Sequence, residues 1–374
     1  MNFDNWYQTI DEKLQLTTGK EFKLQHFGST GVVNEQNRIS VNDSNMADKY
    51  KISEVNFLDF EPVTSASHTM QALYTLAAPA KEKFRPGIII ATSDFNSKHI
   101  QQLVNLKQAA EINRGSTTKV THWYYFSHAL ISLDWYRQYR FYSDIDLIRN
   151  RTFDYNYITQ NRLVDSSRNY RLILMSQLEE QGLTDNALIS YTRYREEPGT
   201  KYIIPEHKLL KIKQYCSETK RIDEKGDSIS NQSMHINLST HLSSFFNLVT
   251  ETCFYESFNH LTEKVFRPVV MLQPFILAGT AGSLAYLKRY GFKTFDNWID
   301  ESYDSISNPF KRIDAVARVV ETICSMSKEQ QQAMYQEMLP TLQYNRSHFY
   351  NDMYDIVYKE MWDNFKQCEL YVGH

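Results

Sequence analysis

The chain concentrates its chemistry-bearing residues between Glu251 and Lys264. The apolar run Phe246-Asn-Leu-Val-Thr250 predicts a buried strand that delivers Glu251 to its carboxyl end. After a short loop, Thr262 stands at the N-cap of a predicted helix with Glu263 and Lys264 in its first turn. A lysine there opposes the helix dipole, which favours anions at that end. The placement makes sense beside a phosphate, which backbone N–H groups and a nearby cation hold together. Glu263 is then placed to accept hydrogen bonds from a ribose diol. The same pattern also fits an ordinary N-capped helix whose Glu and Lys are merely solvated.

A second cationic group, Arg162, Arg168 and Arg171, surrounds the start of a helix predicted from Ser167 to Gly182. Among the acids, Asp94 follows the β-branched run Gly87-Ile-Ile-Ile-Ala-Thr92. An acid just past the carboxyl end of a parallel strand faces the crevice of an open α/β sheet. Asp94 is therefore a candidate base for deprotonating an acceptor hydroxyl, with Asp134, Glu54 and His128 as rivals. Asp144-Ile-Asp146 has a spacing that can chelate a divalent cation, but Arg137, Arg140, Phe141 and Tyr142 precede it where an apolar strand should be. The expectation is a solvated turn and no metal site. From Trp135 to Arg171, seven arginines alternate with aromatic residues. Such a stretch can track a phosphate backbone and stack bases, or equally pack arginine stems over core rings. Arg137 and Arg140 are its candidate polyanion contacts.

These residues need a scaffold. Strands are predicted at 21–27, 87–92 and 120–126, with a helix opening near Ser97, and strands alternating with helices imply a parallel sheet. A second alternating series holds strands at 155–159, 187–190, 245–249 and 274–279, helices after Ser167 and Thr262, and a charged excursion over 214–240. Ser283 is the expected cap of a short helix ending at Gly291, and Lys293-Thr-Phe295 a small strand. Pro309 opens a further helix, Ser327-Lys-Glu-Gln330 is a capping box, Pro340 is the expected stop, and 346–366 is the last helix. The fold class is α/β, with two such domains over 1–152 and 153–345 and a helical tail over 346–374.

Composition narrows the function. A net charge of −3 removes bulk attraction to nucleic acid or membrane. Glycine, at 12 residues, is about half its ~7% average usage, which disfavours a glycine-cradled dinucleotide site. Four scattered cysteines fit a reducing compartment, and Met1-Asn-Phe-Asp-Asn-Trp6 has no secretory leader pattern, so a cytoplasmic location is expected. No apolar run approaches the ~20 residues of a membrane span, so no membrane partner is expected.

Thr262-Glu263-Lys264 after a strand ending in Glu251, then an apolar helix and the proline-led strand to Gly279, resembles the donor half of the α-1,3-fucosyltransferase family. More broadly it is similar to the fucosyltransferase-like glycosyltransferases of bacteria and tailed phages. Asn161-Arg162, Ser167-Arg168-Asn169 and Arg171 resemble the segment that opens the same domain. The resemblance covers roughly residues 155 to 300; the first 150 match no family pattern. It implies a GT-B fold, in which two Rossmann-like domains face each other, and transfer of a sugar from a nucleotide-diphosphate sugar to an acceptor hydroxyl. Inversion at the anomeric carbon, a carboxylate base from the first domain and no metal or other cofactor are implied with it. Glu263 would hold the donor ribose and Lys264 and Arg168 the diphosphate, with Arg162 and Arg171 as helpers and Glu251 shaping the pocket. The acceptor implied is a hydroxymethylated pyrimidine in phage duplex DNA, or else a glycan or protein hydroxyl. A non-catalytic nucleotide-sugar or nucleic-acid binder is the competing class.

Overall fold

The computed structural model describes residues 39–40, 54–58, 87–115, 119–141, 151–164, 166–194, 204–220, 222, 233 and 235–372. The chain divides into two compact units, Met1–Asp134 with Tyr354–His374, and Trp135–Met353.

In the first unit β1 (Ile39–Ser40), β2 (Glu54–Leu58), β3 (Gly87–Thr92) and β4 (Lys119–Tyr124) form a sheet in that order. β1 is antiparallel to β2, and β2, β3 and β4 are parallel. Parallel neighbours need a crossover, and α1 (Lys98–Asn113) supplies it between β3 and β4. Ser97 caps α1 by accepting from the Ile100 N–H, and Ile100, Leu103 and Val104 form its buried face. α2 (Ser127–Trp135) follows β4.

The second unit holds β5 (Tyr155–Asn161), α3 (Tyr170–Glu180), β6 (Ala187–Tyr191), α4 (Glu206–Tyr215), α5 (Leu238–Leu242) and β7 (Ser244–Thr250). It continues through α6 (Glu263–Val270), β8 (Phe275–Ala278), α7 (Ser283–Arg289), α8 (Pro309–Cys324) and α9 (Lys328–Asn351). Its sheet has the order β6-β5-β7-β8 with every pair parallel. All seven residues of β7 are buried, as befits a central strand covered on both faces. α10 (Met353–Val372) belongs to the first unit from Tyr354 onward, where Asn364 Nδ2 donates to the Tyr124 carbonyl at 2.7 Å.

The expected mixed α/β architecture is present, but several local expectations are corrected. α3 does not start at Ser167; Ser166–Arg168 is a 3-10 turn and the helix begins after Asn169. Gly282, at φ +82°, takes the N-cap of α7, and the Ser283 hydroxyl donates instead to the Thr280 carbonyl at 2.7 Å. Lys293-Thr-Phe295 is not a strand, because the Asn345 side chain bonds both the N–H (2.9 Å) and the carbonyl (2.8 Å) of Lys293. Pro340 does not stop α9. It lies on the exposed face, where water can take the carbonyl one turn back, while Met334, Tyr335, Met338 and Leu342 stay buried opposite. The break falls at Asp352, between α9 and α10, rather than before residue 346. The strand expected over 21–27, the Asp144–Asp146 pair and part of the 214–240 excursion lie outside the described residues.

Candidate functional site

β5 and β7 are neighbours, yet β6 lies beyond β5 and β8 beyond β7. The chain therefore leaves the carboxyl ends of the two central strands in opposite directions, and such a switch point opens a ligand crevice in α/β sheets. Buried polar side chains fix the two strand ends to each other. Thr250 Oγ1 donates to Asn161 Oδ1 at 2.6 Å, and Asn161 Nδ2 to Thr159 Oγ1 at 3.2 Å.

Glu251, with none of its surface exposed, organises this edge. Its carboxylate accepts from Thr262 Oγ1 (2.7 Å), the Thr262 N–H (3.1 Å) and the Thr252 N–H (3.2 Å). Its carbonyl accepts from Tyr170 Oη (2.6 Å) and Arg171 Nη2 (2.9 Å). One residue thus binds the openings of both α3 and α6 to the end of β7. Burial pushes the Tyr170 phenol well above the usual tyrosine range, so it stays a neutral donor.

Neither helix opening is capped by a side chain. The Thr262 hydroxyl, expected to cap α6, is turned to Glu251, and Asn169 Oδ1 at the N-cap of α3 accepts from Tyr255 Oη at 2.5 Å. α6 is held instead by its apolar face. Val265, Phe266, Val269 and Val270 are at most 2% exposed, and each such side chain contributes about 1.5–3 kcal/mol. An uncapped first turn is affordable beside that. Lys264 Nζ lies 3.0 Å from Glu263 Oε1 and 3.1 Å from Thr262 Oγ1, with 27% of its side chain exposed against 8% for Glu263.

Arg168 sits half-buried in the 3-10 turn leading into α3, and Arg162 is exposed just past β5. Arg171, expected to help hold a diphosphate, is buried and committed to backbone. Its guanidinium donates to the carbonyls of Leu163 (2.6 Å), Thr250 (2.9 Å) and Glu251 (2.9 Å), which makes it a positioning residue.

Two further arginines, Arg312 and Arg267, support the site, and neither belongs to a motif in the sequence. Arg312 of α8 donates to the Gly279 carbonyl at 3.1 Å and to the Phe254 carbonyl, and its guanidinium lies 4.4 Å over the Phe254 ring. Burial pulls Arg312 down to about 10, which leaves it charged at neutral pH. Its signal was an arginine on the apolar stripe with Val316 and Val319. Gly279 stands close against Ser283, because a Cβ there would come within 2.6 Å of Ser283 Oγ and push that hydroxyl from its place. Arg267 of α6 donates to Gln160 Oε1 (2.6 Å) and to Tyr136 Oη (3.1 Å), and Tyr136 Oη donates to the Glu263 carbonyl at 3.3 Å. No spacing in the sequence links Tyr136 to α6.

The remaining candidates stand on other elements of the chain. Asp94 is buried past β3, its N–H donating to Thr92 Oγ1 at 3.0 Å. Asp134 is half-buried in the last turn of α2, and His128 is buried in the first. Glu54 begins β2. Arg137 and Arg140 share an exposed 3-10 turn, where Arg140 Nη2 donates to Asn351 Oδ1 at 2.9 Å. Among the described residues no group of three or more His, Cys, Asp or Glu side chains is placed to hold a metal ion. No described helix is long and apolar enough to cross a membrane.

No protein-family model matches the sequence, and no curated protein is similar to it. Among solved structures, the chain is similar to an α,α-trehalose-phosphate synthase (UDP-forming) from Burkholderia vietnamiensis. The two are 12% identical with a TM-score of 0.35, over 82% of this chain and 67% of that one. A likeness of that size carries no argument about fold or activity.

Proposed function

We propose that the protein is a glycosyltransferase whose second unit binds a nucleotide-diphosphate sugar at the carboxyl edge of the β6-β5-β7-β8 sheet. One observation carries the reading: Glu251 gathers two helix openings without side-chain caps at the switch point, one with Lys264 in its first turn and one led by Arg168. Departure of a nucleotide diphosphate builds negative charge, and positioned cations beside helix N-termini stabilise it. From the resemblance to the fucosyltransferase-like family we further propose that transfer inverts the anomeric carbon and runs without a metal. Lys264 and Arg168 hold the diphosphate, Glu263 the ribose, Thr262 and Glu251 set the geometry, and Arg162 lies at the rim. The base is an acid of the first unit, with Asp94 and Asp134 as candidates.

For the acceptor we propose a hydroxymethylated pyrimidine in duplex DNA, supported by the exposed pair Arg137 and Arg140. Binding should then fall by roughly one log unit per log unit of salt for each phosphate contacted. Absence of salt-dependent DNA binding at low ionic strength would transfer the proposal to a glycan or protein hydroxyl. The donor reading is tested with a panel of nucleotide sugars in thermal-shift and donor-hydrolysis assays, with and without EDTA. Slow release of nucleotide from one donor, unaffected by EDTA, is expected. A protein that is stabilised but never releases nucleotide is a binder and not an enzyme.

A further inference from the structure

The Lys264 ammonium has three N–H donors, and two of them are directed to Glu263 Oε1 at 3.0 Å and Thr262 Oγ1 at 3.1 Å. The Thr262 hydroxyl gives its only proton to Glu251 Oε2 at 2.7 Å, so it can only accept from Lys264. The hydroxyl therefore fixes where the ammonium sits, and Glu263 supplies the charge that holds it there. Glu263 and Lys264 are both in the first turn of α6, where the dipole favours the carboxylate and disfavours the ammonium. The carboxylate is the more buried of the two. A diphosphate brings more negative charge than a carboxylate and makes stronger use of the same cation. It also takes the backbone N–H groups that the diverted Thr262 side chain leaves uncapped.

We propose that Glu263 and the donor diphosphate are alternative partners of Lys264. Arrival of the diphosphate draws the ammonium away from Glu263 and frees that carboxylate to accept the hydroxyls of the ribose joined to it. The site then reads diphosphate and ribose as one unit, because each half of the ligand makes the other half's contact available. This rests on the donor-site reading above. It adds that inorganic pyrophosphate competes with Glu263 for the Lys264 ammonium and brings no hydroxyl to that carboxylate, whereas a nucleoside diphosphate brings both.

The test is calorimetric titration of wild type and Glu263→Gln with inorganic pyrophosphate and with the nucleoside diphosphates UDP and GDP. The substitution is isosteric and leaves the apolar face of α6 untouched. Pyrophosphate should bind Glu263→Gln about threefold tighter, the size set by a partly exposed ion pair. The nucleoside diphosphate that binds wild type should bind the variant several-fold weaker. Opposite shifts for the two ligands are the expected result. Equal tightening of both would mean that Glu263 only contributes to the local field, and the exchange is overturned. Equal weakening, or no change, also overturns it. Should neither pyrophosphate nor any nucleoside diphosphate bind wild type saturably, the donor-site reading itself fails and the exchange falls with it.

Discussion

The two ends of α6 each carry a cation, and the two cations live under opposite rules. At the carboxyl end Arg151, 5% exposed, donates to the carbonyls of Leu272 (3.1 Å), Met271 (3.4 Å) and His241 (3.4 Å) and stacks on Phe153 and Tyr335. It has carbonyl partners at the end of a helix whose dipole is negative, so its charge is stabilising although deeply buried. Burial nonetheless lowers it to about 10. At the amino end Lys264 opposes the dipole, is partly exposed, and is bonded only to Thr262 and Glu263 among the described residues. A cation that the fold uses sits where the backbone wants one. A cation sitting where the backbone does not want one is the better candidate for a ligand.

That contrast can be broken by substitution, and the largest effect should come from the carboxyl end. Arg151→Ala strands buried carbonyls that cost about 1–3 kcal/mol each and leaves a cavity. It should lower stability by about 4 kcal/mol in urea unfolding without a specific change in donor affinity for the folded fraction. A similar result for Lys264→Ala would erase the distinction between the two ends.

Acid should attack the same end. His241 Nδ1 lies 3.0 Å from Gln273 Oε1, and burial first, with Arg151 and Arg267 nearby, pulls the imidazole down to about 4. The Gln273 amide donates to the His241 and Ser244 carbonyls, so its oxygen accepts from the His241 Nδ1–H, and burial keeps the imidazole neutral. The folded group resists a proton that the unfolded chain accepts near 6.5. Its stabilisation is therefore complete above pH 6.5 and is lost as the pH falls toward 4, by about 3 kcal/mol in all. Unfolding curves of His241→Asn should have a smaller acid-side slope than wild type over that interval.

At the amino end the expected effect is on turnover. Lys264→Ala should lower transfer at least ~100-fold, about 2.7 kcal/mol of leaving-group stabilisation, with a melting temperature unchanged or slightly raised. Arg168→Ala should behave alike. Wild-type rates in either variant would remove the donor site from this edge.

The amino end of α6 was legible in the sequence because Lys264 opposes the dipole that Glu263 beside it suits, and that contrast shows in two adjacent letters. The carboxyl end was not. Arg151 binds backbone carbonyls far along the chain, and a carbonyl leaves no mark in a sequence. The inward direction of Arg171 was not legible either, because a cation at a helix start reads the same whether it points to solvent or inward to Thr250 and Glu251. β3, β7 and β8 were evident from their apolar runs. Asn345 standing in for a strand beside Lys293 was not evident, because one side chain replaced a whole ladder.

Glu251 serves α3 through its carbonyl and α6 through its carboxylate, and these two services differ in heritability. The carbonyl belongs to the backbone, so every residue at position 251 provides it. The carboxylate is specified by a codon. Replacing Glu251 therefore keeps the carbonyl that Tyr170 and Arg171 of α3 use and removes first the acceptor that Thr262 uses at α6.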